Sequence, residues 1–342
     1  MRVFRLFAVL ALLIFAGVGL KRLYASWPPI YTGEAVEVRV RSSAIPLDSS
    51  DPARTRVGRL EYRGGVVIKA DDRHIGGLSD MLWDAECGRF LTVSDTGLWV
   101  VIEPEEREGW LTGVSRMWMA AIRDTGGQPT ERKRDADAEG LMRSAPDELL
   151  VWFEQDHRAR RYTGVSACRP ESLNSAARDE LRPPEMQAWP KNGGAEAVAM
   201  QGDDMLILSE AHEVAGGTDA LAIAPDGSTR QFVYTAPGDT SPTAMAAMDA
   251  DNSAAPMLIL HRHFSLLQGV SAVLGLAHID ADSGEPVQPE ILGEFRSPVA
   301  VDNFEALAVR PEGDRRFIYL LSDDNFNPFQ QTLLLKFELL PE

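Results

Sequence analysis

The sequence predicts an all-β fold, a β-propeller of five blades with six as the alternative count, and three observations carry that expectation. A two-strand pattern recurs five times, weaker strand patterns usually follow each recurrence, and alternating apolar residues near the start match the strand that the last repeat lacks. The first strands are Gly77 to Met81, Ala138 to Met142, Ala195 to Met200, Thr243 to Met248 and Phe304 to Val309. The second are Phe90 to Asp95, Leu149 to Glu154, Met205 to Glu210, Met257 to Arg262 and Phe317 to Asp323. Aligning Ser79, Glu139, Glu196, Ala244 and Glu305 gives offsets of 60, 57, 48 and 61 residues. Outer strands are expected at Leu98 to Ile102 and Met117 to Ile122, and again at Ala220 to Ala224 and Gln231 to Thr235. The last repeat ends at its third strand, Thr332 to Leu339, and the alternation of Leu60, Tyr62, Val66 and Ile68 offers the fourth. That pairing closes the ring and leaves no free edge there.

Each pair of strands centres on a turn sequence, as a hairpin requires. The midpoints fall beside Gly88, at Pro146-Asp147, inside Gly202-Asp203-Asp204, within Asp251-Asn252-Ser253, and beside Gly313. An irregular β-sandwich is the alternative, because the repeat lengths are uneven.

Composition bounds the rest. In 342 residues, 44% hydrophobic and 25% charged is the balance of an ordinary folded protein. A net charge of −17 repels nucleic acid and attracts cations. Residues 1–29 form a signal peptide or membrane anchor: Arg2 and Arg5, an apolar run from Phe7 to Leu20, then Lys21 and Arg22, with no acid. The remainder holds 30 basic against 51 acidic side chains. A linker and leading strand occupy 30–57, and the propeller 58–342. The expected location is the periplasm, with an uncleaved anchor tethering the body to the inner membrane as one outcome and cleavage near Tyr24-Ala25-Ser26 as the other. No further contact with membrane is expected. Cys87 and Cys168 are too few for a disulfide framework, and whether they pair is left open.

Neighbouring strands of a blade are antiparallel, so the start of each first strand and the end of each second share one rim. First strands line a propeller's channel. Asp95, Glu139, Glu154, Glu196, Glu210, Glu305 and Asp323 are therefore expected around one mouth. Like charges at that density resist ionisation together, and a divalent cation is the simplest compensation. An all-oxygen set suits Ca²⁺, with Mg²⁺ second. The alternative is that each acid accepts backbone hydrogen bonds and closes the ring. The fourth repeat carries Ala244 and Arg262 in place of an acid pair, which supplies one guanidinium for an anionic substrate or for a salt bridge across the mouth. His261 and His263 flank it as a weak candidate metal pair. His157, His212, Lys191, Asp156 and Glu213 are candidates for shaping the pocket. Ser94, Ser209 and Ser322 each precede an acid and read as rim repeats rather than nucleophiles. No G-x-S-x-G, HExxH, CxxC, Walker A or dinucleotide fingerprint occurs.

Several segments carry a resemblance: Gly76-Gly77-Leu78-Ser79 with Val93-Ser94-Asp95, Asp137-Ala138-Glu139-Gly140-Leu141, and Gly194-Ala195-Glu196-Ala197. The last segments are the most specific, Asp302-Asn303-Phe304-Glu305-Ala306-Leu307 and Leu321-Ser322-Asp323-Asp324-Asn325-Phe326, with Gln330-Gln331-Thr332. Over Gly58 to Leu339 the chain resembles the bacterial phytase-like family, esterase-like activity of phytase. Ala197 and Ala306 stand where the motif often has Gly. The resemblance implies a propeller related to calcium-dependent phytases. Two functions follow as expectations. One is an exported, metal-dependent hydrolase of phosphate or carboxylic esters, a monomer acting on a small anionic substrate, with Arg262, Glu196 and Glu139 as the catalytic candidates. The other is a non-catalytic propeller that holds Ca²⁺ structurally and docks a ligand or partner.

Overall fold

The computed structural model describes residues 29–250, 252–265, 267 and 269–341. The segment read as a signal or anchor thus lies almost wholly outside them. Among the described residues no helix is long and apolar enough to cross a membrane.

Five antiparallel sheets form five blades, and their innermost strands succeed one another around a closed ring. Those strands are Leu78–Asp84, Ala138–Ala145, Ala195–Gln201, Ser241–Ala247 and Asn303–Glu312. In the last blade, Thr332–Leu339 pairs with Leu60–Ala70, so a strand from the start of the chain completes the sheet built by its end. The buried ammonium of Lys336 on Thr332–Leu339 donates to Glu106 Oε2 at 2.7 Å and so ties the last blade to the first. The stretch 30–57 is more structured than a linker. Val36–Val38 extends the first blade, while Val40–Ala44 and Arg56–Val57 pair with the outer strand of the last.

Local sequence explains the hairpins. Glu108 and Gly109 have φ of 52° and 82°, which is the backbone of a two-residue turn whose twist matches its flanking strands. The other turns lie at the expected midpoints, between Asp84 and Arg89, Ala145 and Glu148, Gln201 and Asp204, Ala247 and Met257, and Glu312 and Arg315.

Apolar clusters fill the spaces between adjacent blades, and strand alternation divides each blade between two of them. In Arg315–Asp323, Ile318 and Leu320 face the fourth blade, whereas Phe317, Tyr319 and Leu321 face the first. Both faces of a blade are buried, so its strands read as continuous apolar runs. Cys87 and Cys168 form a disulfide with Cα atoms 5.4 Å apart, joining a turn of the first blade to the loop after Arg158–Thr163 of the second.

Candidate functional site

One irregularity recurs in every inner strand and builds the site. Pairing steps from Leu78 to Asp80, Ala138 to Gly140, Ala195 to Ala197, Pro242 to Ala244 and Phe304 to Ala306. Each step leaves one extra residue in a β-bulge, and bulges re-aim side chains next to functional sites. The bulged residues are Ser79, Glu139, Glu196, Thr243 and Glu305. The fourth equivalent is therefore Thr243 and not Ala244, one residue earlier than the sequence alignment placed it. Thr243 is buried and donates its hydroxyl to Phe304 O at 3.1 Å. Beside each bulge, the partner strand delivers the next rim residue: Asp95, Glu154, Glu210, Arg262 and Asp323.

All of these residues except Thr243 line a cavity of about 610 Å³. All seven acids expected at the mouth lie on it, with Arg262. Several lining residues escaped the sequence reading: Ser79, although aligned with the bulges, along with Lys133, Arg134, Asp137 and Asn192. Lys133 sits on a one-turn helix, Lys133–Ala136, inserted before the second blade. Its ammonium donates to Asp95 Oδ2 and Asp95 O, each at 2.9 Å, and pairs closely with Asp137. Gly77, at φ 64°, makes room for this arrangement, since a Cβ there would meet Asp95 Oδ1.

The acids divide into three groups. Asp95 and Asp137 are held by Lys133. Glu210 and Glu305 face Arg262, whose Nη2 lies 3.5 and 3.4 Å from them. Asn303 joins this group, accepting from Arg262 Nη1 at 2.8 Å and donating to Glu305 Oε1 at 2.6 Å. The third group shares Asp137 with the first: Asp137, Glu139 and Glu154 bring one carboxylate oxygen each within 4.8 Å of the others. Glu154 Oε1 accepts the backbone N–H groups of Gly193, at 2.6 Å, and Gly194. Asp323 Oδ1 accepts Leu78 N at 3.2 Å.

Electrostatics follow from that geometry. Burial pushes Glu154 up to about 7, against the lowering effect of the two glycine N–H groups. Burial likewise carries Glu305 to about 7 despite Arg262, and Asp95 to about 6 despite Lys133. Glu139, Glu196 and Asp323 are raised further, by burial and then by neighbouring carboxylates. Burial lowers the Arg262 guanidinium, but Glu305, Glu196 and Glu210 outweigh it and the net shift is upward. Arg262 Nε is buried without a hydrogen-bond partner, as is Asp95 Oδ1. Asp80, next to the first bulge, was also missed; its Oδ2 accepts Leu141 N at 2.8 Å and pins the second blade to the first.

The histidines correct the sequence reading. Alternation turns His261 and His263 away from the face that presents Arg262. His261 is buried between blades, with Nδ1–H donating to Val273 O at 3.1 Å and Nε2 accepting from the Tyr234 hydroxyl at 2.6 Å. Burial lowers its pKa to about 4. His263 bonds Asp239 O. We expect Tyr234→Phe to cost about 1–3 kcal/mol by stranding that ring nitrogen; thermal unfolding measures it, and cation affinity should not move. His157, His212, Lys191, Asp156 and Glu213 do not line the cavity either. His157 donates Nε2–H to Pro190 O, and Asp156 is clamped by Arg182. Ser94, Ser209 and Ser322 donate their buried hydroxyls to Gly76 O, Gly193 O and Gln331 O, which is a structural use.

Among solved structures, a Bacteroides thetaiotaomicron protein of unknown function is 11% identical, with a TM-score of 0.44 over 89% of this chain and 76% of its own. The Malassezia sympodialis allergen Mala s 1 is 12% identical, with a TM-score of 0.40 over 75% and 92%. A putative oxidoreductase (glucose dehydrogenase) from Thermus thermophilus is 10% identical, with a TM-score of 0.40 over 77% and 98%. None of the curated proteins matches the chain. The family model of phytase-like proteins, described as esterase-like activity of phytase, matches residues 73–326, a span that takes in every residue lining the cavity, and the chain belongs to that family.

Proposed function

We propose that the protein is an exported, metal-dependent hydrolase of phosphate or carboxylic esters. The observation that carries this is the cluster of Asp137, Glu139 and Glu154, whose oxygens converge within 4.8 Å in a cavity that otherwise resists the ionisation of Glu139 and Glu154. An all-oxygen carboxylate set fits Ca²⁺, and Mg²⁺ less well because of its stricter geometry. Such a cation, when bound, supplies charge stabilisation to an ester oxygen and lowers the pKa of water.

The remaining roles belong to the chain. Arg262 faces Glu210 and Glu305, and its guanidinium on the cavity wall is the positive charge offered to an anionic ester oxygen. Glu196 is a cavity carboxylate whose pKa is raised by burial and by the neighbouring acids, so its ionised form is a stronger base for the proton of an attacking water than an exposed glutamate would be. Lys133 holds Asp95 and Asp137 in place across the mouth.

The test uses p-nitrophenyl phosphate and p-nitrophenyl acetate. Turnover of either should disappear on chelation, return with Ca²⁺, and fall in Glu196→Gln more than cation affinity falls. Ca²⁺ binding that raises the melting temperature with no turnover of either ester would establish the non-catalytic alternative instead.

A further inference from the structure

We infer that the mouth face of the propeller docks on a lipid bilayer. Among the described residues, the three most exposed large apolar side chains are Leu267, Phe329 and Phe264, at 99%, 91% and 59%. All three extend from the cavity rim. Phe264 lies two residues beyond Arg262 in Met257–Ser265, Leu267 follows in the turn, and Phe329 lies six residues beyond Asp323. Single exposed apolar residues are ordinary, but three around one mouth mark an interaction face.

The path of the chain indicates what covers them. Residues 1–28, outside the described part, carry the apolar run Phe7 to Leu20 between basic residues, and the inference takes that run as the membrane anchor its sequence suggests. The described chain starts beside the mouth. Gly33 O accepts Ala121 N at 3.1 Å, the adjacent Ile122 N bonds Gly97 O at 2.9 Å, and Gly97 is two residues from Asp95. Tyr31 packs its ring 5.4 Å from that of His74, in the loop that leads to Gly77. With residues 7–20 in a bilayer, the eight residues Lys21 to Pro28 reach at most about 28 Å. The mouth, rather than the opposite end, is thereby held near the headgroups. A tether this short gives a high effective concentration, so a few apolar side chains suffice to seat the face. A net charge of −17 opposes anionic lipid, and neutral choline headgroups fit better.

The experiment uses the full chain reconstituted in phosphatidylcholine vesicles. Cys87 and Cys168 are joined to each other, so one introduced cysteine is labelled alone. A polarity-sensitive fluorophore is placed in Phe329→Cys, in Phe264→Cys, and in Asp314→Cys at the exposed hairpin of the opposite end. Expected are a blue shift and a loss of emission to brominated lipid at 329 and 264, with neither at 314. Equal quenching at all three positions overturns the inference. So does shielding of 329 and 264 in detergent that grows with protein concentration, which would identify a second copy as the occupant. None of these readouts depends on hydrolysis, so the outcome is separate from that of the catalytic proposal.

Discussion

Replacing Glu139 by Gln is expected to lower Ca²⁺ affinity by at least about 100-fold, since even residues that only orient metal ligands cost 10–100-fold when lost. Glu139 is the bulged residue of the second blade, and one of its oxygens lies within 4.8 Å of those offered by Asp137 and Glu154. Gln keeps the shape and removes one charge from a group that burial and neighbouring acids already disfavour. The cation-free variant should therefore be as stable as the wild type or more so at pH 8. Glu305→Gln is the contrast. Glu305 faces Arg262 and accepts from Asn303, so its change should weaken Ca²⁺ much less and should instead loosen the guanidinium. Calorimetric titration of the three proteins decides the matter. Equal affinities in wild type and Glu139→Gln, or no binding by the wild type, removes the metal reading and leaves hydrogen-bonded ring closure as the use of these acids.

How much of this was legible in the sequence depends on which physical signal marks each residue. The strands and hairpins were legible because blade strands buried on both faces leave apolar runs, and turns leave Gly, Pro, Asp and Asn. The closing strand was legible because Leu60 to Ile68 alternates. The bulges were not, since an extra residue in a strand leaves no signature in hydrophobicity; the alignment accordingly chose Ala244 over Thr243. Lys133, Asp137 and Asn303 were missed for a related reason. Lys133 and Asp137 stand just ahead of the second inner strand, and Asn303 opens the last one, where no periodicity points to a cavity. The face of His261 and His263 was available in principle, because alternation opposes them to Arg262 once that residue is placed in the channel. What alternation could not supply was the Tyr234 hydroxyl 27 residues upstream that satisfies His261.

The cation-free protein should lose stability as pH rises from 6.5 to 8, a direction set by the same acids. Glu154 and Glu305 are pushed up to about 7 in the folded chain, whereas unfolded glutamates titrate near 4.3. Across this range the folded state therefore holds protons that the unfolded state has released, and stability falls as pH climbs through the folded value. These two groups alone account for about 1–2 kcal/mol over the interval, or roughly 2–3 °C in melting temperature for a domain of this size. Glu139, Glu196 and Asp323, raised further, act in the same direction. His261 acts oppositely, because its folded value of about 4 means acid forces a proton onto the unfolded side. The unfolded imidazole is about half protonated at pH 6.5 and nearly neutral by pH 8, so within the interval His261 offsets only a few tenths of a kcal/mol of the carboxylate effect. Saturating Ca²⁺ should flatten the dependence, since compensated acids no longer retain protons at pH 6.5. Melting curves at four pH values with and without Ca²⁺ give the answer: a cation-free protein whose stability is level or rises from pH 6.5 to 8 would mean that the mouth acids are already compensated by Arg262, Lys133 and backbone donors, and that no cation is called for.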